Sequence, residues 1–241
     1  MSKYMKKTVL FLFVLFTCFL CFAGCTQQKS HIEIYNFSKS TVDENPEIIP
    51  EFLGQDYVIL NDNIPNFTHD DLEQISGEIY TSLDRLGRCG TATAMLHRRL
   101  MPTEEREGIG HIKPSGWVQR KYAGIVASNP PYLYNRCHLI AYALTGQNDN
   151  ELNLITGTRY MNVEGMLPWE KQVMDYLNES ENHVLYRVSP YFKDQEQVAR
   201  GVEIEAYSVE DNGQSLSFHV FVYNYQPGVI IDYETGESYI E

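Results

Sequence analysis

Residues 135–170 gather the side chains best suited to chemistry. Asn135-Arg136-Cys137-His138 opens the stretch, Asn153-Leu154-Ile155-Thr156 follows, and Asn162 and Glu170 close it. The stretch offers one imidazole, a guanidinium two residues before it, amide side chains and a carboxylate. Hydrolysis of a phosphodiester needs an activated water, charge stabilisation at the phosphoryl oxygens and help for the leaving oxygen. An imidazole that titrates near neutral pH, beside a single hard metal ion on oxygen donors, would meet those needs.

The elements around this stretch must position it. Arg159 to Asn178 reads as a helix that carries Asn162 and Glu170, with Trp169, Val173, Met174 and Leu177 as its apolar stripe. Gly165 and Pro168 interrupt it, which allows a kinked helix or two abutting helices. On a continuous helix, residues eight apart are two turns along and about 80° apart. Asn162 and Glu170 then address one site if the break at Pro168 is mild. Upstream, Tyr122 to Ala127 is a strand candidate, and Pro130-Pro131 resets the chain before the motif.

The remaining elements supply a framework. Val58-Ile59-Leu60 suits a short buried strand. Thr68 to Arg85 is expected to be an amphipathic helix capped by Thr68, with Leu72, Ile75, Ile79, Leu83 and Leu86 facing the core. Gly90 to His97 reads as a strand, and Pro102 to Pro114 as a charged loop. His183–Val188, Val202–Val209 and Leu216–Tyr223 alternate as strands, and Asp211-Asn212-Gly213 is a hairpin turn. Leu216, Phe218, Val220 and Val222 should face one side. The expected class is α+β, a mostly antiparallel β-sheet with helices.

The amino terminus reads as an export signal. Lys3, Lys6 and Lys7 precede an apolar run from Thr8 to Phe22, too short for a comfortable membrane span. Phe22-Ala23-Gly24-Cys25 then has the small residues of a lipoprotein cleavage site, which makes Cys25 a lipidation candidate. An ordinary signal peptide, or an uncleaved anchor that contains Cys, is the alternative. The expected organisation is a signal over 1–24, a polar tether over 25–50 and one globular domain over 51–241. The protein would be exported and lipid-anchored to the outer face of a bacterial cell membrane.

Charge and cysteine content narrow the partners. The chain carries −13, and loss of three signal lysines takes it to −16. Residues 84–138 run against this balance, with nine basic and four acidic groups, and they lead into His138. An acidic protein binds polyanions poorly without such local positive charge or a metal ion. Only Cys89 and Cys137 remain in the folded part, too few for a disulfide scaffold or a zinc cluster. One disulfide and two buried thiols are both open.

The motif resembles the Asp-Arg-Gly-His signature of DNA/RNA non-specific endonucleases with a ββα-metal site, in particular the streptococcal and clostridial DNA-entry nuclease branch. Asn153-Leu154-Ile155-Thr156 is similar to the family's Asn-Ile-Thr element, and Asn162 and Glu170 follow at the family's spacing. The likeness extends through Leu86–Gly90 and Ile112–Trp117. Asn135 stands where the family has Asp, and Cys137 where it has Gly. The resemblance implies Asn162 as the protein's direct metal ligand and Glu170 as a holder of metal-bound waters. Mg²⁺ would be the cofactor, with Mn²⁺ as a substitute. His138 would be the general base. Arg136 and Arg159 would contact substrate phosphate, and Asn153 would support the His138 loop or the substrate. The implied partner is DNA, with RNA left open, and no obligate protein partner is evident. A non-catalytic nucleic-acid-binding lipoprotein on a nuclease scaffold is the competing reading, sustained by Asn135 and Cys137.

Overall fold

The computed structural model describes residues 49–241. The signal segment, Cys25 and nearly all of the expected tether lie outside these residues. The last two tether residues belong to the folded unit. Ile49 packs beside Leu60, Phe221 and Tyr223, and the Tyr223 hydroxyl donates to the Pro50 carbonyl at 2.6 Å.

In chain order the strands are β1 (Tyr57–Ile59), β2 (Glu78–Tyr80), β3 (Ala92–Leu96), β4 (Tyr134–His138), β5 (Leu154–Thr158), β6 (Val184–Tyr191), β7 (Gly201–Ser208), β8 (Ser217–Tyr223), β9 (Val229–Ile231) and β10 (Ser238–Ile240). The α-helices are α1 (His69–Gln74), α2 (Tyr142–Thr145) and α3 (Leu167–Glu179). Six strands form an antiparallel sheet in the order β1-β8-β7-β6-β3-β2, while β4–β5 and β9–β10 form separate pairs. The α+β class therefore holds.

Period-two alternation builds the core. Ala94 pairs with Tyr186, Tyr186 with Ala206 and Ala206 with Phe218, so these residues line one face of the sheet. Phe218, Val220 and Val222 lie in the same core, against Val173 and Leu177 of α3. The expected β7–β8 hairpin forms, with Asn212 at φ +56° and Gly213 at φ +74°.

Two expected elements differ. The helix expected over Thr68–Arg85 ends at Gln74. Its cap forms as a reciprocal pair: the Asp71 amide donates to the Thr68 side chain, and the Thr68 amide to the Asp71 carboxylate. Gly77 then takes φ +80°, which favours glycine, and Glu78–Tyr80 joins the sheet beside β3. Burial of Tyr80 and the strand partner outweigh the helical spacing, and Leu83 is left exposed. The strand expected over Tyr122–Ala127 is a turn. The amides of Ile125 and Val126 both donate to the Tyr122 carbonyl, and Gly124 takes φ +81°. Only Lys121 bridges to Tyr132 as a strand would.

The helix expected over 159–178 forms with a modification. A wide, π-type turn spans Met161–Met166 and runs directly into α3. Pro168 sits in the first turn of α3, where a missing amide donor costs little. Gly165 lets this turn press onto the sheet, because a Cβ there would come within 2.5 Å of Val222.

Candidate active site

β4 and β5 form an antiparallel hairpin, and the helical segment 159–179 follows. Register places His138 opposite Leu154 and Asn135 opposite Gly157. Along β4 the side chains alternate, so His138 and Cys137 point to opposite faces. Cys137 is fully buried in the core, and Gly157 makes room for it: a Cβ on Gly157 would collide with the Cys137 sulfur and the Met161 methyl. The residue that replaces the family's glycine therefore leaves the His138 face clear. Cys89 and Cys137 are both buried free thiols, which closes the disulfide alternative.

The segment between β4 and β5 folds back on His138. α2 ends at Gly146 with φ +70°, and the chain returns through Asn148. The His138 Nε2 lies 2.9 Å from the Asn148 carbonyl, which can only accept, so Nε2 carries the proton. The lone pair is then on Nδ1, to which Arg106 Nη2 donates at 3.4 Å. Burial drives the His138 pKa down to about 4, and the Arg106 charge adds to the effect.

Asn153 holds this arrangement shut. Its Oδ1 accepts from the Ile140 amide and its Nδ2 donates to the Ile140 carbonyl, both at 2.9 Å. Its own carbonyl accepts from Leu139 at 2.9 Å. Asn153 is fully buried, and its place in the fold is behind the site. Of its two expected roles, the hydrogen bonds favour support of the His138 loop, because both ends of its amide are spent on backbone.

A cavity of about 970 Å³ is lined by Arg106, Asn135, Arg136, His138, Arg159, Asn162 and Glu170, among others. The wide turn helps to gather them. A π-type turn rotates less per residue than an α turn, which reduces the 80° offset between Asn162 and Glu170. Glu170 is buried, no described residue bonds its carboxylate, and burial alone raises its pKa to about 8. The Asn162 amide makes no hydrogen bond with another described residue, and it is half-buried. A hard donor and an unpaired buried carboxylate fit a hydrated dication.

The two expected phosphate contacts differ in availability. Arg159 reaches the cavity with its side chain free of hydrogen bonds to described residues. Arg136 also lines the cavity, but its guanidinium donates to the carbonyls of Ile112 and, at 2.8 Å, Gly110. It also lies 4.2 Å over the Trp117 ring. Arg136 thus holds the 110–117 loop as well as lining the cavity. Arg106 is the residue that sequence reasoning missed. Nothing in Glu104-Glu105-Arg106-Glu107 marks it, since only folding brings the loop to His138.

A second group of ligating side chains, Glu203, Glu205 and His219, meets on the far face of the sheet. Glu205 there accepts from Arg187 and from the Asn66 amide, both at 2.6 Å, and His219 contacts the Ile64 carbonyl. That group is a network of ion pairs and hydrogen bonds that fastens residues 64–66 to the sheet.

Comparison with known proteins bears on the family and the fold. The family model for DNA/RNA non-specific endonucleases matches residues 69–210. NucA from Streptococcus agalactiae with magnesium bound is 28% identical at a TM-score of 0.65, over 76% of this chain and 87% of that one. Metal-free NucA gives 28% and 0.64, over 76% and 86%. The zinc-bound Sda1 nuclease is 29% identical at 0.58, over 67% of this chain and 81% of that one. With the model spanning more than half of its length, this chain belongs to the DNA/RNA non-specific endonuclease family.

Proposed function

We propose that the protein is a divalent-metal-dependent, non-specific endonuclease that hydrolyses DNA outside the cytoplasmic membrane, with His138 as its general base. The observation that carries this is the convergence of a neutral, oriented imidazole with an unpaired buried carboxylate and a free amide in one cavity.

His138 acts through Nδ1. The Asn148 carbonyl fixes the Nε2 proton, so Nδ1 faces the cavity ready to take a proton from water. Arg106 rests against that nitrogen, and a substrate phosphate would draw its guanidinium away. Arg159 would hold the strand from the other wall. Asn162 would hold the metal ion directly, and Glu170 would hold its waters. When bound, that ion supplies charge against the phosphoryl and leaving oxygens. Glu170, neutral when alone at pH 7, would ionise in its field. Magnesium on NucA and zinc on Sda1 support a divalent ion, and the oxygen-rich donor set favours Mg²⁺, with Mn²⁺ as substitute. Export and lipid anchoring rest on the Phe22–Cys25 motif.

The test is degradation of plasmid and of RNA by the purified full chain, with Mg²⁺ or EDTA, beside His138→Ala. Cleavage should require both metal and His138, the variant losing about 10²- to 10⁴-fold. A folded, metal-supplied protein that cuts neither polymer would overturn the reading.

A further inference from the structure

The edge of the main sheet meets the turn that orients His138. β2 is the outermost strand on its side, and Glu78 and Tyr80 sit two residues apart on it, so their side chains leave in the same direction. Tyr80 is 3% exposed, and its hydroxyl donates to the half-buried Glu78 carboxylate at 2.6 Å. The side-chain amide of Gln147 donates to the same carboxylate. Burial disfavours the Glu78 charge, and these two donors offset part of that cost. Gln147 follows Gly146, the cap of α2, and precedes Asn148, whose carbonyl lies 2.9 Å from His138 Nε2. The Gln147 carbonyl accepts from the same ring. Other polar side chains of this turn contribute little to holding it. Thr145 Oγ1, Asn148 Oδ1 and Asn150 Nδ2 are buried with no hydrogen-bond partner among the described residues.

We propose that Glu78 is a positioning residue for the cleavage reaction: through Gln147 it holds the 146–148 turn, whose backbone carbonyls keep the His138 ring aimed with Nδ1 toward the cavity. This rests on the reading of His138 as the general base. Glu78 does not line the catalytic cavity, so its effect reaches the reaction through the ring. The hydrogen bond at one imidazole nitrogen decides which nitrogen is left as the base, so the carbonyls must stay in place. A displacement of about 1 Å in a reacting group costs up to about 100-fold in rate. The short strand that replaces the expected helix at 78–80 is what puts this carboxylate at the sheet edge, within reach of the turn.

The test follows the His138 Nε2 proton by ¹H–¹⁵N spectroscopy of the full chain in EDTA, with His138→Ala to assign the signal, beside kcat for plasmid cleavage in Mg²⁺. The unmodified protein should show an Nε2 proton that exchanges slowly with water. Glu78→Ala should lose that signal and lower kcat about 10- to 100-fold, with the Mg²⁺ titration unchanged. Glu78→Gln keeps an acceptor oxygen in place and should restore both. Gln147→Ala should repeat the loss, and the double variant Glu78→Ala/Gln147→Ala should be no slower than either single one. A folded Glu78→Ala that keeps the Nε2 signal and full kcat would overturn the role, as would losses that add in the double variant. If Glu78→Ala does not fold, Gln147→Ala decides, since full kcat and an intact Nε2 signal there also overturn it. A protein that cuts plasmid with ring and rate indifferent to both substitutions overturns the positioning role alone. A folded protein whose ring signal needs Glu78 but which cuts nothing overturns the nuclease reading alone.

Discussion

At the residue scale, the state of His138 sets the pH behaviour. Burial holds its pKa at about 4, so the base is neutral above that value and charged below it. Activity at saturating metal should rise through about pH 4 and stay level toward neutrality. A profile of kcat/KM against pH checks this, since it reports the free enzyme, and an acid limb centred at 6.5 would contradict it. Stability follows the same sign. The unfolded chain takes up a proton below its ordinary 6.5 that the folded chain refuses until about 4. Stability should therefore fall with pH across that window, by roughly 1.4 kcal/mol per unit from this group. Thermal melts at stepped pH read the loss. Asn162→Ala removes the proposed direct ligand. It should lower activity at least about 100-fold and weaken the apparent metal affinity. An Mg²⁺ titration that matches the unmodified protein would reject Asn162 as the ligand.

At the element scale, the segment joining β4 to β5 decides whether the base is aimed. Asn153 closes that segment on Ile140, and Asn148 within it fixes the His138 tautomer. Asn153→Ala would leave a buried amide and a buried carbonyl unpaired, at about 2–4 kcal/mol together. The variant should melt lower and turn over more slowly, with metal affinity unchanged. A loss confined to metal affinity would instead assign Asn153 to the metal site. The importance of Asn153 was legible from the resemblance of Asn153–Thr156 to a family element, but its role was not. A polar residue in a motif looks the same in sequence whether its amide meets substrate or backbone. The wide turn at Met161–Met166 was equally hidden. Spacing on an ideal helix leaves Asn162 and Glu170 offset, and the wide turn that reduces the offset has Gly165 packed against Val222, a contact between distant segments.

At the scale of the whole molecule, charge and the proposed lipid anchor would act together. The chain carries −13, yet residues 84–138 hold nine basic against four acidic groups and supply Arg106 and Arg136 to the cavity wall. Retention near the cell surface would keep such an acidic enzyme close to polymer that it attracts only locally. Cys25→Ser should release the protein from membranes to the soluble fraction, measured by partition after cell lysis. Unchanged membrane partition would reject the lipid anchor. No helix among the described residues is long and apolar enough to cross a membrane.

Much about this protein is written in local sequence. Alternation pointed to β6, β7 and β8 of the main sheet, because a half-buried strand must repeat every two residues. The residue types at 135–170 pointed to the reaction, since few chemistries need that set of donors. Helix length at 68–85 and the turn at 122–127 were decided elsewhere, by a strand partner for Glu78–Tyr80 and by the backbone angles of Gly77 and Gly124. Tertiary structure alone brought Arg106 to His138 across 32 residues, tied Arg136 to the 110–112 carbonyls and left Glu170 buried without a partner. Contacts between distant segments depend on how layers pack, and no spacing along the chain encodes them.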